Sequence, residues 1–230
     1  MLFPSIYQKK ALFLSMAMSL VLFGCSQTTP SAQVEPDTQS TTAAETAKTT
    51  SKEDSTLKNL QAAYNGESNA HLMYLAYAKK AEEEGYKGAA SLFKAAARAE
   101  EIHRDNHAKV IKEMGGTPEN NLKTPEVKST KENLENAVKG ETYERQEMYP
   151  EFIKEAEKEG KKDAVETFTY ASDAEAQHAQ LYKQALEDMD NWKVSKDLYV
   201  CPVSGATTIT DKQNNCATTD GTKKPLEKVS

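Results

Sequence analysis

Glu100-Glu101-Ile102-His103 and Glu175-Ala176-Gln177-His178 are two copies of one pattern, Glu-x-x-His, each inside a run that reads as a long helix. At spacing i, i+3 the carboxylate and the imidazole share one helix face. Each copy has an acidic partner upstream, Glu67 lying 33 positions before Glu100 and Glu141 lying 34 before Glu175. Glu67 and Glu141 are 74 positions apart, and Glu100 and Glu175, like His103 and His178, are 75 apart. The chain thus repeats one helical pair. One Glu from each of two helices plus Glu-x-x-His from each of the other two is a four-helix ligand set for a pair of metal ions.

Working outward, the first helix is expected from Asp54 or Ser55, either a good N-cap, to Gly85, which can end it in the left-handed conformation. Its inward stripe is Leu57, Leu60, Tyr64, Glu67, His71, Tyr74, Ala78 and Ala81. The second helix, Gly88 to Met114, carries Ala89, Phe93, Ala96, Glu100, His103, His107, Val110 and Met114. A polar segment from Gly115 to Pro125 is long enough to cross the length of a bundle. The third helix is expected from Glu126 to Gly160, with Leu134, Ala137, Glu141, Glu144 and Met148 on one face and a kink or local break just beyond the acidic pair, where Pro150 removes a backbone bond. The fourth, Asp163 to Trp192, carries Ala164, Phe168, Ala171, Glu175, His178, Tyr182, Ala185 and Met189.

Carboxylates such as Glu82, Glu83, Glu155 and Glu157 read as solvated faces, because Glu is seldom buried without a partner. Four helices that each place an acid on the apolar stripe, two with a histidine at i+3, read as a di-metal site, since a bare buried carboxylate is prohibitive. Oxygen-rich ligation with imidazole suits iron or manganese. His71 and His107 read as hydrogen-bonded core histidines and stay outside the metal set.

The N-terminus reads differently. Lys9 and Lys10 precede an apolar run from Ala11 to Phe23 that ends in Leu22-Phe23-Gly24-Cys25. A basic start and an apolar run too short for a stable span make a signal peptide of residues 1–24. The Leu-x-Gly-Cys ending resembles the bacterial lipobox, which implies that Cys25 is lipid-modified and anchors the chain to a membrane at the cell envelope. Processing would move the formal charge from −6 to −8, an acidic balance that excludes nucleic acid as partner. Residues 25–53 are polar and almost without apolar side chains, and read as a disordered tether with a reach of roughly 30 Å.

The motifs are also familiar together. Asn65-Gly66-Glu67-Ser68, Glu100-Glu101-Ile102-His103, Gly140-Glu141-Thr142-Tyr143-Glu144, Glu147-Met148-Tyr149-Pro150-Glu151-Phe152 and Glu175-Ala176-Gln177-His178 resemble rubrerythrin over residues 54–192. The resemblance implies an all-α, ferritin-like four-helix bundle with a long crossover between its second and third helices. It implies two irons, with Glu100 and Glu175 bridging, Glu67 and Glu141 terminal, His178 on one ion, and His103 exchanging with Glu144 on the other as the oxidation state changes. Tyr74 and Tyr149 would hydrogen-bond the ligating carboxylates. The implied activity is reduction of hydrogen peroxide to water in oxidative-stress defence, fed by an external electron donor, in a homodimer. The same site used with dioxygen as a ferroxidase, or a non-catalytic metal-binding lipoprotein, are the rival readings.

Residues 193–230 depart from that family. Rubrerythrins usually end in a rubredoxin-like module holding iron in two Cys-x-x-Cys pairs. Here Cys201-Pro202-Val203-Ser204-Gly205 and Cys216-Ala217-Thr218-Thr219-Asp220-Gly221 have Ser204 and Thr219 at the second cysteine positions. Two thiolates cannot make a four-sulfur shell, so no rubredoxin-type iron is expected in this small irregular or β tail. In an exported chain Cys201 and Cys216 are expected to pair instead, closing a loop of 15 positions worth about 3 kcal/mol in the chain-entropy model.

Overall fold

The computed structural model describes residues 54–210, 215–217 and 221–230. The expectations for the signal peptide, for Cys25 and for the tether all lie outside these residues. Among the described residues no helix is long and apolar enough to cross a membrane.

Helices α1 (Ser55–Glu83), α2 (Lys87–Glu113), α3 (Thr130–Tyr143), α4 (Tyr149–Lys158) and α5 (Lys162–Glu187) form the bundle, α3 running into α4 through a π-helical turn at Glu144–Met148. Asp54 caps α1, its side chain accepting from the Leu57 amide, and the chain leaves α1 through Gly85 at φ 81°. Helix α1 packs along α2, and α3 and α4 along α5, so the repeat in the sequence is a repeat of helical hairpins.

Three boundaries differ from the expectation. The third helix starts at Thr130, not Glu126, because Ser129 and Glu132 close a capping box that satisfies two otherwise orphan amides. The interruption expected just beyond the acids is a π-turn that begins at Glu144 itself, so α3 ends at Tyr143: the Tyr149 amide reaches back to the Glu144 carbonyl, and Pro150 then sits in the first turn of α4, where a missing N–H costs little. The fourth helix stops at Glu187, short of Trp192. Trp192 lies in a 3-10 turn, and its backbone packs so closely on Gly88 that a Cβ there would come within 2.8 Å of the Trp192 carbonyl oxygen.

The crossover is fastened to α1 by Gln61, Asn65 and Asn69, four apart on one face. Gln61 donates to the Thr117 carbonyl and accepts from the Glu119 amide. Asn65 accepts from the Asn121 amide, and Asn69 donates to the Asn121 carbonyl and accepts from the Lys123 amide. Five backbone groups of a segment with no secondary structure of its own are thereby satisfied by side chains of α1.

The tail forms an antiparallel sheet in the order β2 (Thr207–Thr208), β1 (Leu198–Val200), β5 (Glu227–Val229), and a separate hairpin of β3 (Asn215–Ala217) and β4 (Lys223–Pro225). Leu198 and Val200 point into the bundle core and Arg98 of α2 pairs with Glu227 at 2.7 Å. Cys201 and Cys216 are joined by a disulfide with Cα atoms 5.7 Å apart.

Candidate metal centre

The apolar interior consists of two clusters. One contains Tyr74, Tyr77, Leu92, Phe93, Leu134 and Tyr182, the other Leu60, Val110, Ile111, Tyr149 and Phe168. Along every long helix the acidic residue falls where the chain passes from one cluster to the other: Glu67 between Leu60 and Tyr74, Glu100 between Phe93 and Val110, Glu141 between Leu134 and Tyr149, Glu175 between Phe168 and Tyr182. A polar layer thus crosses the middle of the bundle, sealed by aromatic side chains at both ends.

Glu67, Glu100, His103, Glu141, Glu175 and His178 are all buried, none more than 1 % exposed. They form two groups, Glu67–Glu100–His103–Glu175 and Glu100–Glu141–Glu175–His178, and within each the candidate ligand atoms all lie within 4.8 Å of one another. Glu100 and Glu175 belong to both groups, the geometry of carboxylates that bridge two ions. Glu144 belongs to neither. It is half-buried at the start of the π-turn, outside both groups.

The hydrogen bonds fix how each ligand faces the centre. His103 Nε2 donates to the Ser204 carbonyl at 3.0 Å, leaving Nδ1 3.0 Å from both Glu100 and Glu175. The Thr207 hydroxyl donates to the Gly205 carbonyl, so it accepts from His178 Nε2 at 3.0 Å, and Nδ1 of His178 lies 2.7 Å from Glu175. Both rings therefore keep a proton on the outward Nε2 and turn Nδ1 to the carboxylates, so that a metal replacing the inward proton would meet the lone pair it needs. Tyr74 donates to Glu141 at 2.5 Å and Tyr149 donates to Glu67. Burial first, then the neighbouring carboxylates, hold both phenols well above the ordinary tyrosine range, so they remain donors.

His107 is a satisfied neutral histidine between Thr167 at 3.0 Å and the Tyr149 hydroxyl at 3.2 Å, pushed down to about 3 by burial and by His103. His71 bonds the Ala97 carbonyl at 2.7 Å. Neither joins a metal group.

Without a cation this arrangement is strongly frustrated. One oxygen of each of Glu67, Glu100, Glu141 and Glu175 is buried with no hydrogen-bond partner. Burial, then Glu100 and Glu175, raises Glu67 well above the usual carboxylate range; burial and Glu175 do the same to Glu141. Burial disfavours charge on His103 and His178, yet the facing carboxylates raise both well above the usual histidine value. Four carboxylates and two inward-facing Nδ1 atoms answer to two divalent cations, which would replace the protons there and satisfy all of the orphaned oxygens together.

Sequence reasoning did not find the outer partners of the imidazoles. The Ser204 carbonyl and the Thr207 hydroxyl are 101 and 29 residues from the rings they hold, and no local pattern marks them. Gly205 at φ 75° is their steric complement, since a Cβ on it would collide with His103 Nε2.

Comparison with known proteins agrees with this geometry. The Rubrerythrin family model matches residues 58–186. The chain is 42% identical to nigerythrin of Nitratidesulfovibrio vulgaris over 152 residues, 66% of this chain and 75% of that protein. It is 37% identical to Rubrerythrin-2 of Clostridium acetobutylicum over 165 residues, 68% of this chain and 87% of that one. The solved structure of fully reduced, all-ferrous nigerythrin superposes with a TM-score of 0.68 at 36% identity, covering 75% of this chain and 86% of the other. Bacterioferritin of Mycobacterium tuberculosis, at 18% identity and a TM-score of 0.55, shares the fold.

Proposed function

The chain belongs to the rubrerythrin family, and from that premise we propose that this di-iron oxidoreductase reduces hydrogen peroxide to water at the cell envelope, as a lipid-anchored homodimer. The observation that carries the reading is the pair of buried four-residue groups sharing Glu100 and Glu175. Glu67 and His103 would complete one ion's ligands and Glu141 and His178 the other's. When bound, two ferrous ions supply the two electrons that cleaving one peroxide O–O bond consumes.

What the chain adds is orientation and exclusion. Tyr149 and Tyr74 each tie up one carboxylate oxygen and leave the other free, so Glu67 and Glu141 cannot rotate away. Ser204 and Thr207 hold the rings with Nδ1 inward. The two aromatic clusters keep bulk water from the polar layer. Glu144, which begins the π-turn and is raised by Glu67 more than by any other acid, would take the place of His103 in the more positive state, for which an anion is the better partner.

Anaerobic metal analysis followed by stopped-flow oxidation tests the reading. Two irons per chain are expected, with peroxide about tenfold or more faster than dioxygen, a barrier difference of ~1.4 kcal/mol. Faster oxidation by dioxygen would favour ferroxidase chemistry. The proposed anchor predicts an intact mass beginning at a lipidated Cys25, and an unprocessed N-terminus would refute it.

A further inference from the structure

The proposed reaction consumes two electrons per turnover, and the described residues contain one two-electron couple outside the bundle, the Cys201–Cys216 disulfide. Its two sulfurs differ. Cys201 is buried at 1 % exposure, and the amides of Val203 and Ser204 both point at its sulfur at 3.4 Å. Cys216 is more exposed, and with Cys201 it lines a cavity of about 590 Å³ between the tail and α5, bordered by Gln177, Gln180, Thr208 and Leu226. An incoming thiolate would approach Cys216, the less buried of the two, from this cavity. Cys201 is the better leaving sulfur, because two N–H donors stabilise the charge it acquires.

The same loop touches the metal centre. Ser204, whose amide donates to Cys201 Sγ, accepts from His103 Nε2 through its own carbonyl at 3.0 Å, and His103 Nδ1 faces Glu100 and Glu175. One residue therefore bridges the disulfide sulfur and an imidazole of the centre by hydrogen bonds at both ends. Glycine at position 205 is what lets the loop lie this close to the ring.

We propose that Cys201–Cys216 is a redox relay that accepts electrons from a dithiol reductant in this cavity and passes them through Ser204 and His103 to the di-iron centre. This rests on the peroxide reading given above. In the first half, a reductant thiolate attacks Cys216 Sγ, the Cys216–Cys201 bond breaks, and Cys201 leaves as thiolate. The reductant's second thiol then displaces Cys216, so the reductant leaves as a disulfide and this chain holds two thiols. In the second half the Cys201–Cys216 bond re-forms, two S–H bonds are lost, and two electrons and two protons are released. Reduction of one hydrogen peroxide to two waters takes up the same number of each.

The test uses the full, iron-loaded chain, reduced anaerobically with dithiothreitol that is then removed. One equivalent of peroxide is added, the absorbance of the oxidised centre is followed by stopped flow, and samples are quenched, alkylated and weighed by mass spectrometry. The expected result is an oxidised signal that rises and then decays as one Cys201–Cys216 disulfide appears per peroxide, with disulfide formation in metal-free protein slower by about tenfold or more. A persistent oxidised signal with both thiols still alkylated would overturn the relay and leave the peroxide reading standing. Disulfide formation at equal rates with and without metal would also overturn it, by showing direct oxidation of sulfur. A loaded protein that does not react with peroxide would refute both.

Discussion

On the His178 side of the centre, the imidazole is held by the side-chain hydroxyl of Thr207, and the terminal carboxylate, Glu141, lies in the last turn of α3 under Tyr74. On the His103 side, the ring rests on bare main chain, the Ser204 carbonyl and Gly205, and Glu67 accepts from Tyr149, the residue that directly follows the π-turn beginning at Glu144. After burial itself, Glu67 is the neighbour that raises Glu144 most, which favours the His103 side as the one that Glu144 would serve. The internal repeat supplies a symmetric container for two ions, whereas the departures from it all fall on one of them. In the proposed reading one ion would have a fixed set of ligands, and the other would have Glu144 as an alternative to His103.

The largest expected effect breaks both sides at once. Glu175→Ala removes a carboxylate shared by both groups, so metal content should fall from two ions toward none. Glu67→Ala or Glu141→Ala touches one group each and should cost one ion. Equal losses in all three variants, measured by metal analysis, would contradict the division into a shared pair and two terminal acids.

Next in size is the pH dependence of the metal-free chain. His103 and His178 are raised above their unfolded value of 6.5, so their contribution is complete below that pH and is lost as pH rises through the folded values. Glu67 and Glu141, raised above 4.5, likewise bind protons more tightly when folded and lose stability as pH rises. Glu175, lowered by His103 and His178 despite its burial, works in the opposite sense, its contribution being lost as pH falls below 4.5. A folded pKa that departs by one pH unit from its unfolded value is worth about 1.4 kcal/mol, and the five raised carboxyl and imidazole groups of the centre, Glu144 included, outweigh the two lowered ones, Glu175 and His107, of which His107 opposes the trend only up to its unfolded value of 6.5. The melting temperature of metal-free protein should therefore fall from pH 5 to pH 8, while that of loaded protein stays nearly flat because the ions replace the protons. A metal-free protein that gains stability toward pH 8 would mean that the carboxylates are satisfied by something other than protons.

Gly205→Ala probes the His103 side alone. The φ of 75° and the collision with His103 Nε2 together should cost about 2–4 kcal/mol. Gly160→Ala, at φ 69° with open space around it, bears only the backbone cost, about 1 kcal/mol. Thermal denaturation separates the two. If they cost the same, the tail does not press on His103 in solution.

These features were unequally legible in the sequence. Glu-x-x-His at i, i+3 on an apolar stripe is a local signal, and helix geometry converts it directly into shared burial, which is why six ligands could be named from spacing. The start of α3 was also written locally, in Ser129-Thr130-Lys131-Glu132, but amid so many charges the apolar periodicity gave no edge to anchor it. Pro150 was visible, yet whether a helix answers it with a kink or a π-turn depends on what α5 packs against it. The seating of Ser204 and Thr207 on the two imidazoles was not legible at all. It depends on how an irregular loop crosses the end of a bundle, and the substitution that marks the loop, serine for cysteine, speaks only of lost iron ligation.

The smallest effect is the most specific to the asymmetry. Glu144→Ala should leave two ions bound, because the six residues of the two groups already provide Glu67, Glu100, His103, Glu141, Glu175 and His178 without it. Glu144 stands at the head of the π-turn, i+3 from Glu141, and Glu67 raises it more than any other acid does, so in the proposed reading it would serve the side where His103 rests only on a carbonyl. A carboxylate stabilises the higher metal charge better than a neutral imidazole does, so removing it penalises the oxidised product and the step that leads there. Peroxide oxidation should slow by about tenfold, or ~1.4 kcal/mol, with metal content unchanged. Glu147→Ala, an exposed acid in the same π-turn, should do neither. If Glu144→Ala lost iron as completely as Glu175→Ala, Glu144 would be a permanent ligand and the two sides would be held alike; if it kept full turnover, the spare acid would have no part in the exchange.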